Sequence, residues 1–342
     1  MARICRMFRW PSTKAFCVVA ATLILIIIVY TPDFSTFVRQ VTHSKKITVD
    51  PSAKGQKETV VHVVVVGNDR LWEGMLTLAT SIVINTRSDV MFHFVTLAPQ
   101  ASQLKAAIEA SALRSVRYEV IPFSEDRVKG QYIVKSPRKD LDHPLNFGRF
   151  FMPELLPDVC RVIYIDADCL VLGDISELHN LTLKNNDVMA ALNEKKPAHL
   201  GVNFSNPYVK ARGIPRDTDI INNGIFVADL QRWRQQNITA RLLYWMRLNV
   251  VSSVLKWGDC GSGSQGLMLL TVFDKYTPLP KEWNALQGHH GKELGNKKLL
   301  HWNGSDKPWH TKHTTYSITL WRKYNSFLHN SAHLIIPGAR VL

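Results

Sequence analysis

The chain has 342 residues, 46% hydrophobic and 20% charged, which is enough apolar material for one large core or two small ones and too much for bulk disorder. It carries 42 Lys and Arg against 28 Asp and Glu, a formal charge of +14. The basic residues are scattered and no nucleic-acid-binding motif accompanies them, so the charge reads as a face toward anionic substrates or a membrane, with nucleic acid excluded as a partner.

At the amino end, Arg3, Arg6, Arg9 and Lys14 precede an uncharged run from Ala15 to Pro32 that contains Leu23 to Val29. This order predicts a cytoplasmic tail over 1–14 and a transmembrane signal anchor over 15–32. A cleaved signal peptide is the competing reading, but Tyr30-Thr-Pro-Asp33 follows the apolar core without an Ala-x-Ala pattern. Residues 33–58 are polar, with Lys45, Lys46 and Pro51, and read as a luminal stem. Sequons at Asn180, Asn203, Asn237 and Asn303 suit the luminal side. Cys160, Cys169 and Cys260 would be luminal too, and could supply one disulfide with an odd thiol left over.

Val60 to Val66 is β-branched and continuous, as expected of a central strand covered on both faces. A helical stretch near Glu73 to Asn85, a strand Val90 to Leu97, a helix near Ser102 to Ser111 and a strand Val116 to Ile121 follow. Strand and helix alternate, predicting an α/β fold with a single, mostly parallel mixed sheet flanked by helices. Leu145 to Leu155 reads as helical and leads into the strand Arg161 to Ile165. Beyond Gly173, strands at Val188 to Leu192 and Ile225 to Ala228 mix with helices near Ile238 to Asn249 and Gln265 to Phe273. After Trp309 we expect at most a peripheral helix. The catalytic domain is placed at 59–330, with 331–342 a C-terminal tail.

The strand Arg161 to Ile165 ends in Asp166-Ala167-Asp168. Buried strands of open α/β sheets place ligand-binding groups just past their carboxyl ends, and residues two apart in an extended segment share one side. Two hard carboxylates so placed suit Mg²⁺ or Mn²⁺, and His301 as third ligand shifts the preference toward Mn²⁺. An Asp-rich turn after a strand is the competing reading, since Asp bonds its own backbone there. The downstream stretch His301-Trp-Asn-Gly304-Ser-Asp-Lys307-Pro-Trp309 counts against a mere turn. Gly304 permits close backbone approach and Lys307 supplies a point charge for phosphate.

These two motifs resemble the Asp-x-Asp and His-x-x-Gly-x-x-Lys-Pro-Trp motifs of the family 8 glycosyltransferases. Ser81 to Ser88, Asn223 to Leu230, Trp233 to Thr239 and Leu300 to Gly304 are similar to the animal glycosyltransferase 8 domain-containing proteins. The resemblance spans roughly residues 58 to 330. It implies a GT-A type nucleotide-diphospho-sugar transferase fold, with Asn68 and Asp69 on the uracil and ribose, Arg149 near the donor phosphate and sugar, and Asn223 lining the sugar pocket. It makes Asp166, Asp168, Lys307 and Gln265 the catalytic set, and adds Ala167, His301 and Gly304 to the donor site. The chain departs from the family at Ser264-Gln265-Gly266, where relatives often carry Asp-Gln-Asp, and Asp259 is the nearest acid.

The implied activity is a Golgi type II membrane enzyme that transfers a hexose or pentose from UDP to an acceptor hydroxyl of a glycan or glycoprotein. It would use Mn²⁺ or Mg²⁺ and retain the anomeric configuration by front-side attack. A catalytically silent UDP-binding partner or regulator of other Golgi enzymes is the alternative, and a basic scaffold for anionic glycans a more distant one.

Overall fold

A computed structural model describes residues 60–329 apart from 135, 139–140, 185, 259–262 and 287–293. The expected tail, anchor and stem, Asp259, Cys260 and the segment 331–342 lie outside the described residues. Among those described, no helix is long and apolar enough to cross a membrane.

The valine run forms β1 (Val61–Val66), and its alternation divides the core. Val61, Val63 and Val65 join one apolar cluster, Val64 and Val66 the other, so helices must cover both faces. Helix α1 (Trp72–Asn85) returns to β2 (Val90–Leu97), and α2 (Ala101–Glu109) to β3 (Arg117–Phe123). The two helices press Met75, Leu78, Ile82, Leu104 and Ile108 onto one face. Each such fully buried aliphatic side chain contributes roughly 1.5–3 kcal/mol.

A 3-10 segment, Pro144–Phe151, runs into the short α3 (Met152–Leu155) and thence to β4 (Arg161–Ile165). The helical expectation over 145–155 is met in a tighter form, with prolines at the entry to both pieces. Next come β5 (Cys169–Val171), α4 (Ser176–His179), β6 (Met189–Pro197), α5 (Pro207–Ala211) and β7 (Asp219–Asp229). Asp229 then caps α6 (Leu230–Gln235), its Oδ1 accepting from the Arg232 amide at 2.8 Å, as N-terminal aspartates do. Helices α7 (Ile238–Ser252) and α8 (Ser264–Val272) lead to β8 (Tyr276–Pro278), β9 (Ala285–Leu286), β10 (Leu299–His301) and α9 (Tyr316–His329).

Seven strands build the main sheet in the order β3-β2-β1-β4-β7-β6-β8, and β5-β10-β9 form a small second one. β1 to β4 run parallel, β7 is antiparallel to both neighbours, and β6 therefore points the same way as β4. The sheet is thus mixed and mostly parallel.

Two features differ from the sequence reading. Asn223-Gly224, ahead of the strand expected at Ile225 to Ala228, lies inside β7, where the register with β6 jumps from Phe226↔Ala191 to Asn222↔Leu192, and such a bulge re-aims side chains. Helix α9 is also more than peripheral. Ile318, Trp321, Tyr324 and Leu328 are buried at helical spacing, and Asn85 Nδ2 on α1 donates to Tyr324 Oη at 2.8 Å.

Candidate active site

Because β7 runs against its neighbours, its Asn222–Gly224 stretch reaches the same edge as the carboxyl ends of β1, β4 and β6. These strands stand in the order β1, β4, β7, β6, and that edge is the floor of a cavity of about 530 Å³. Asn68 comes from β1, Asp166, Ala167 and Asp168 from β4, Asn222, Asn223 and Gly224 from β7, and Glu194 and Lys196 from β6. Gln265 on α8, and His301, Gly304 and Lys307 past β10, close the wall.

The two aspartates are held differently. Asp166 Oδ1 pairs with Arg149 Nη2 at 3.0 Å and accepts from Tyr164 Oη at 2.7 Å. Arg149 is buried above the Tyr164 ring and donates to the Asn223 carbonyl at 2.5 Å. Burial opposes the guanidinium charge, yet Asp166 beside it more than compensates and raises its pKa. Asp168 is buried, with Oδ2 paired to Lys307 Nζ, which also donates to the Trp302 carbonyl at 3.0 Å. Burial alone would raise the Asp168 pKa, but the ammonium beside it holds the carboxyl well below the usual range. Its other oxygen, Oδ1, is buried and has no hydrogen-bond partner.

A chain of hydrogen bonds decides which nitrogen of His301 faces that oxygen. The Gly224 amide can only donate, and it donates to Asn222 Oδ1 at 2.9 Å, which fixes the Asn222 carboxamide. Asn284 Nδ2 therefore donates to the same oxygen at 3.0 Å, and Asn284 Oδ1 lies 2.9 Å from His301 Nδ1. Nδ1 must carry the proton, an assignment made from the network. In the neutral ring, the form that ligates metal, that leaves the Nε2 lone pair 3.4 Å from Asp168 Oδ1, two electron-rich atoms facing each other. A Cβ added at Gly224 would lie 2.8 Å from Asp166 Oδ2 and 2.9 Å from His301 Nε2, so both crowd one point that only glycine leaves open. Orphaned carboxylate oxygen, bare imidazole nitrogen and cradle together fit a divalent cation.

Cys169, which no motif singled out, also brings its sulfur to this point. Asp168, Cys169 and His301 each offer a ligand atom within 4.8 Å of the others. Burial raises the Cys169 pKa well above that of an ordinary thiol, which disfavours the thiolate that binds metal. Cys160 and Cys169 are both free thiols.

The other sequence candidates divide. Asn68 lines the cavity with Oδ1 buried and unpartnered, whereas Asp69 does not line it, is exposed, and accepts from the Arg70 amide at 3.0 Å. Ala167 is buried beneath α1, where a Cβ on Gly74 would come within 2.6 Å of its carbonyl oxygen. Asn223 Nδ2 donates to Ser264 Oγ at 3.1 Å. Gln265 Nε2 donates to Glu194 Oε1 at 3.0 Å. A Cβ at Gly304 would meet nothing of the protein nearer than 4.0 Å. Of the sequons, Asn180 and Asn237 are exposed, while Asn303 lines the cavity.

Comparison with known proteins shows the family and the fold. Residues 36–313 match the family described as Glycosyl transferase family 8. The chain is 30% identical over 294 residues to human glycosyltransferase 8 domain-containing protein 1, covering 79% of this chain and 78% of that one. It is also 30% identical over 282 residues to bovine glycosyltransferase 8 domain-containing protein 2, covering 76% and 81%. Among solved structures, the galactosyltransferase LgtC in complex with donor and acceptor sugar analogues superposes with a TM-score of 0.62 at 16% identity, over 78% of this chain and 96% of that one. Mouse xyloside xylosyltransferase 1 superposes with a TM-score of 0.50 at 17% identity, over 72% and 98%. These two likenesses speak for the GT-A-like fold.

Proposed function

Because the chain belongs to glycosyl transferase family 8 and is a glycosyltransferase, we propose that it transfers a sugar from a UDP-sugar to an acceptor hydroxyl of a glycan or glycoprotein, with Mn²⁺ bound at Asp166, Asp168 and His301. The observation that carries this reading is the unpartnered Asp168 Oδ1 facing the bare Nε2 of His301.

Strand order supplies the layout. Base and ribose would lie over β1, where the unpartnered Asn68 Oδ1 offers an acceptor to a uracil N–H. The diphosphate would lie over β4, and the sugar over β7 and β6. A bound divalent cation would act as a Lewis acid for the diphosphate. As the bond from the anomeric carbon to the β-phosphate oxygen breaks, the electron pair stays on that oxygen. Lys307, released from Asp168, would meet the charge developing there. Arg149 keeps Asp166 and the Asn223 carbonyl in place from beneath. Retention is what the family likeness implies, and with no carboxylate at Ser264-Gln265-Gly266 we assign front-side attack, the acceptor oxygen bonding to the anomeric carbon as the leaving phosphate takes the acceptor proton. The basic amino end and uncharged run support our reading of a type II protein of the Golgi membrane with its catalytic domain luminal.

Calorimetric titration of UDP with and without Mn²⁺, followed by turnover of a UDP-sugar panel, tests this. Mn²⁺ should strengthen UDP binding, and Asp168→Asn should remove that gain while the fold survives. Wild-type protein that binds Mn²⁺ and UDP but neither hydrolyses nor transfers any UDP-sugar would overturn transfer and leave a UDP-binding partner in its place.

A further inference from the structure

Glu194 is the third carboxylate lining the cavity, and among the described residues it joins only Asp166 and Asp168 there. It sits on β6 and is 6% exposed. Asn222 Nδ2 at 2.5 Å and Gln265 Nε2 at 3.0 Å both donate to its Oε1. The second oxygen, Oε2, has Lys196 Nζ at 3.6 Å as its contact, a lysine whose side chain is 47% exposed. A half-exposed lysine at that distance holds a carboxylate weakly. One oxygen is thus locked by two amides, and the other is left as an acceptor on a residue that lines the cavity.

A merely structural tie does not call for a charge here. A glutamine would accept the same two hydrogen bonds through its carbonyl oxygen at lower desolvation cost. A buried anion is explained by what a carboxylate alone does, which is to offer a second strong acceptor to hydroxyl donors. Its position says whose hydroxyls. From Asn68, just past the end of β1, to Glu194 on β6 the floor crosses three strand spacings of about 4.8 Å, roughly 14 Å in all, with the Asp166–Asp168 cluster between. An extended nucleoside diphosphate sugar with its base at Asn68 and its diphosphate at that cluster brings its sugar to Glu194.

We propose that Glu194 Oε2 accepts a hydrogen bond from a hydroxyl of the donor sugar, so that Glu194, held by Gln265 and Asn222, selects which sugar the cavity takes. The inference rests on the UDP-sugar reading above. It also gives Gln265 a positioning part, since the amide that closes α8 against β6 orients the carboxylate.

Glu194→Gln tests it, because both amide ties survive while Oε2, an acceptor, becomes an NH₂ donor. Affinities for UDP and for each UDP-sugar are measured at saturating Mn²⁺, with thermal midpoints as a fold check. We expect UDP affinity to change by less than about two-fold, and binding and turnover of the preferred UDP-sugar to fall on the order of ten-fold or more. Glu194→Asp, which keeps the charge but withdraws it from the cavity, should behave alike. Glu194→Gln that binds and turns over the UDP-sugar as wild type does would overturn the proposal, as would a loss of UDP affinity equal to the loss for UDP-sugar. A wild-type protein that binds no UDP overturns the parent reading as well, and is told apart from the first case by its own titration.

Discussion

Two histidine–carboxylate clusters are built across the strands of this fold, and they are finished differently. In the lower part of the sheet His62, His93 and Glu119 stand on β1, β2 and β3. His62 Nδ1 lies 2.8 Å from His93 Nε2, and His93 Nδ1 lies 2.5 Å from Glu119 Oε1. The rings stack with centroids 5.1 Å apart. If the carboxylate accepts from Nδ1–H, then Nε2 accepts from His62, and every inward polar atom of the triad is partnered. At the carboxyl edge His301 and Asp168 approach only to 3.4 Å, and Asp168 Oδ1 has no hydrogen bond. A polar network closed on itself supports structure, whereas one ending in facing acceptors is incomplete without a cation. Residue type does not separate the two; hydrogen-bond bookkeeping does.

That contrast can be broken most forcefully at Lys307. Lys307→Met removes the partner of a buried carboxylate and should cost about 3–5 kcal/mol of stability. Mn²⁺ should restore much of it by replacing the lost cation, seen as a larger Mn²⁺-induced rise in melting midpoint than in wild type. Glu119→Gln, in the closed triad, should show no such metal rescue. Equal metal responses in both variants would erase the distinction.

A smaller effect probes the proton on His301. Asn284→Leu frees Nδ1 from its acceptor and lets the ring take the wrong tautomer, which should weaken Mn²⁺ affinity by about 10–100-fold. Asn284→Asp still accepts from Nδ1–H and should keep most of it. Undiminished Mn²⁺ affinity in the leucine variant would refute the tautomer drawn from the network.

The smallest effect concerns the closed triad. Burial, chiefly, lowers the His62 pKa from 6.5 to about 4, with His93, His179 and Arg117 adding to the shift and Glu119 opposing it. Burial lowers that of His93 too, against its Glu119 partner. Between pH 6.5 and about 4 the unfolded chain therefore binds protons that the folded one refuses, so stability falls as pH drops through that window. With His62 only partly buried, the loss should be on the order of 1 kcal/mol. Denaturation midpoints from pH 7 to pH 4.5 should show it, and His62→Gln should flatten the slope. A slope unchanged in that variant would assign the effect elsewhere.

How much of this was legible beforehand depends on where the signal lives. β1 announces itself because five of its six residues are buried and all five are valine, and Asp166 and Asp168 are conspicuous as charges ending an apolar strand. The His301 to Trp309 stretch carries enough unusual residues to be noticed. Glu194 and Asn284 were not, since each is one polar residue in an unremarkable segment. Their partners lie 71 residues away at Gln265 and 17 away at His301. Only the strand order β4-β7-β6 makes them part of one network. In the sequence Cys169 reads only as a disulfide candidate, because nothing local tells that His301 will pair with it across β5 and β10. Asn223-Gly224 resembled a strand entrance because Asn and Gly mark turns, and the bulge that overrules this is set by β6. The face of α9 was present in Ile318, Trp321, Tyr324 and Leu328, but Thr and His around it blurred the period.

The packing of α9 on α1 has a consequence for how the chain is made. The contact between Asn85 and Tyr324 closes a sequence separation of 239 residues, and that between Thr77 and Asn325 one of 248. During synthesis α1 emerges early, yet the side chains that cover its outer flank arrive only when the catalytic fold is almost fully translated. Until then that flank of α1 lacks its cover, and contacts between segments so far apart in the chain form slowly. Nascent chains stalled before residue 316 should accordingly depend on chaperones more than the released protein does.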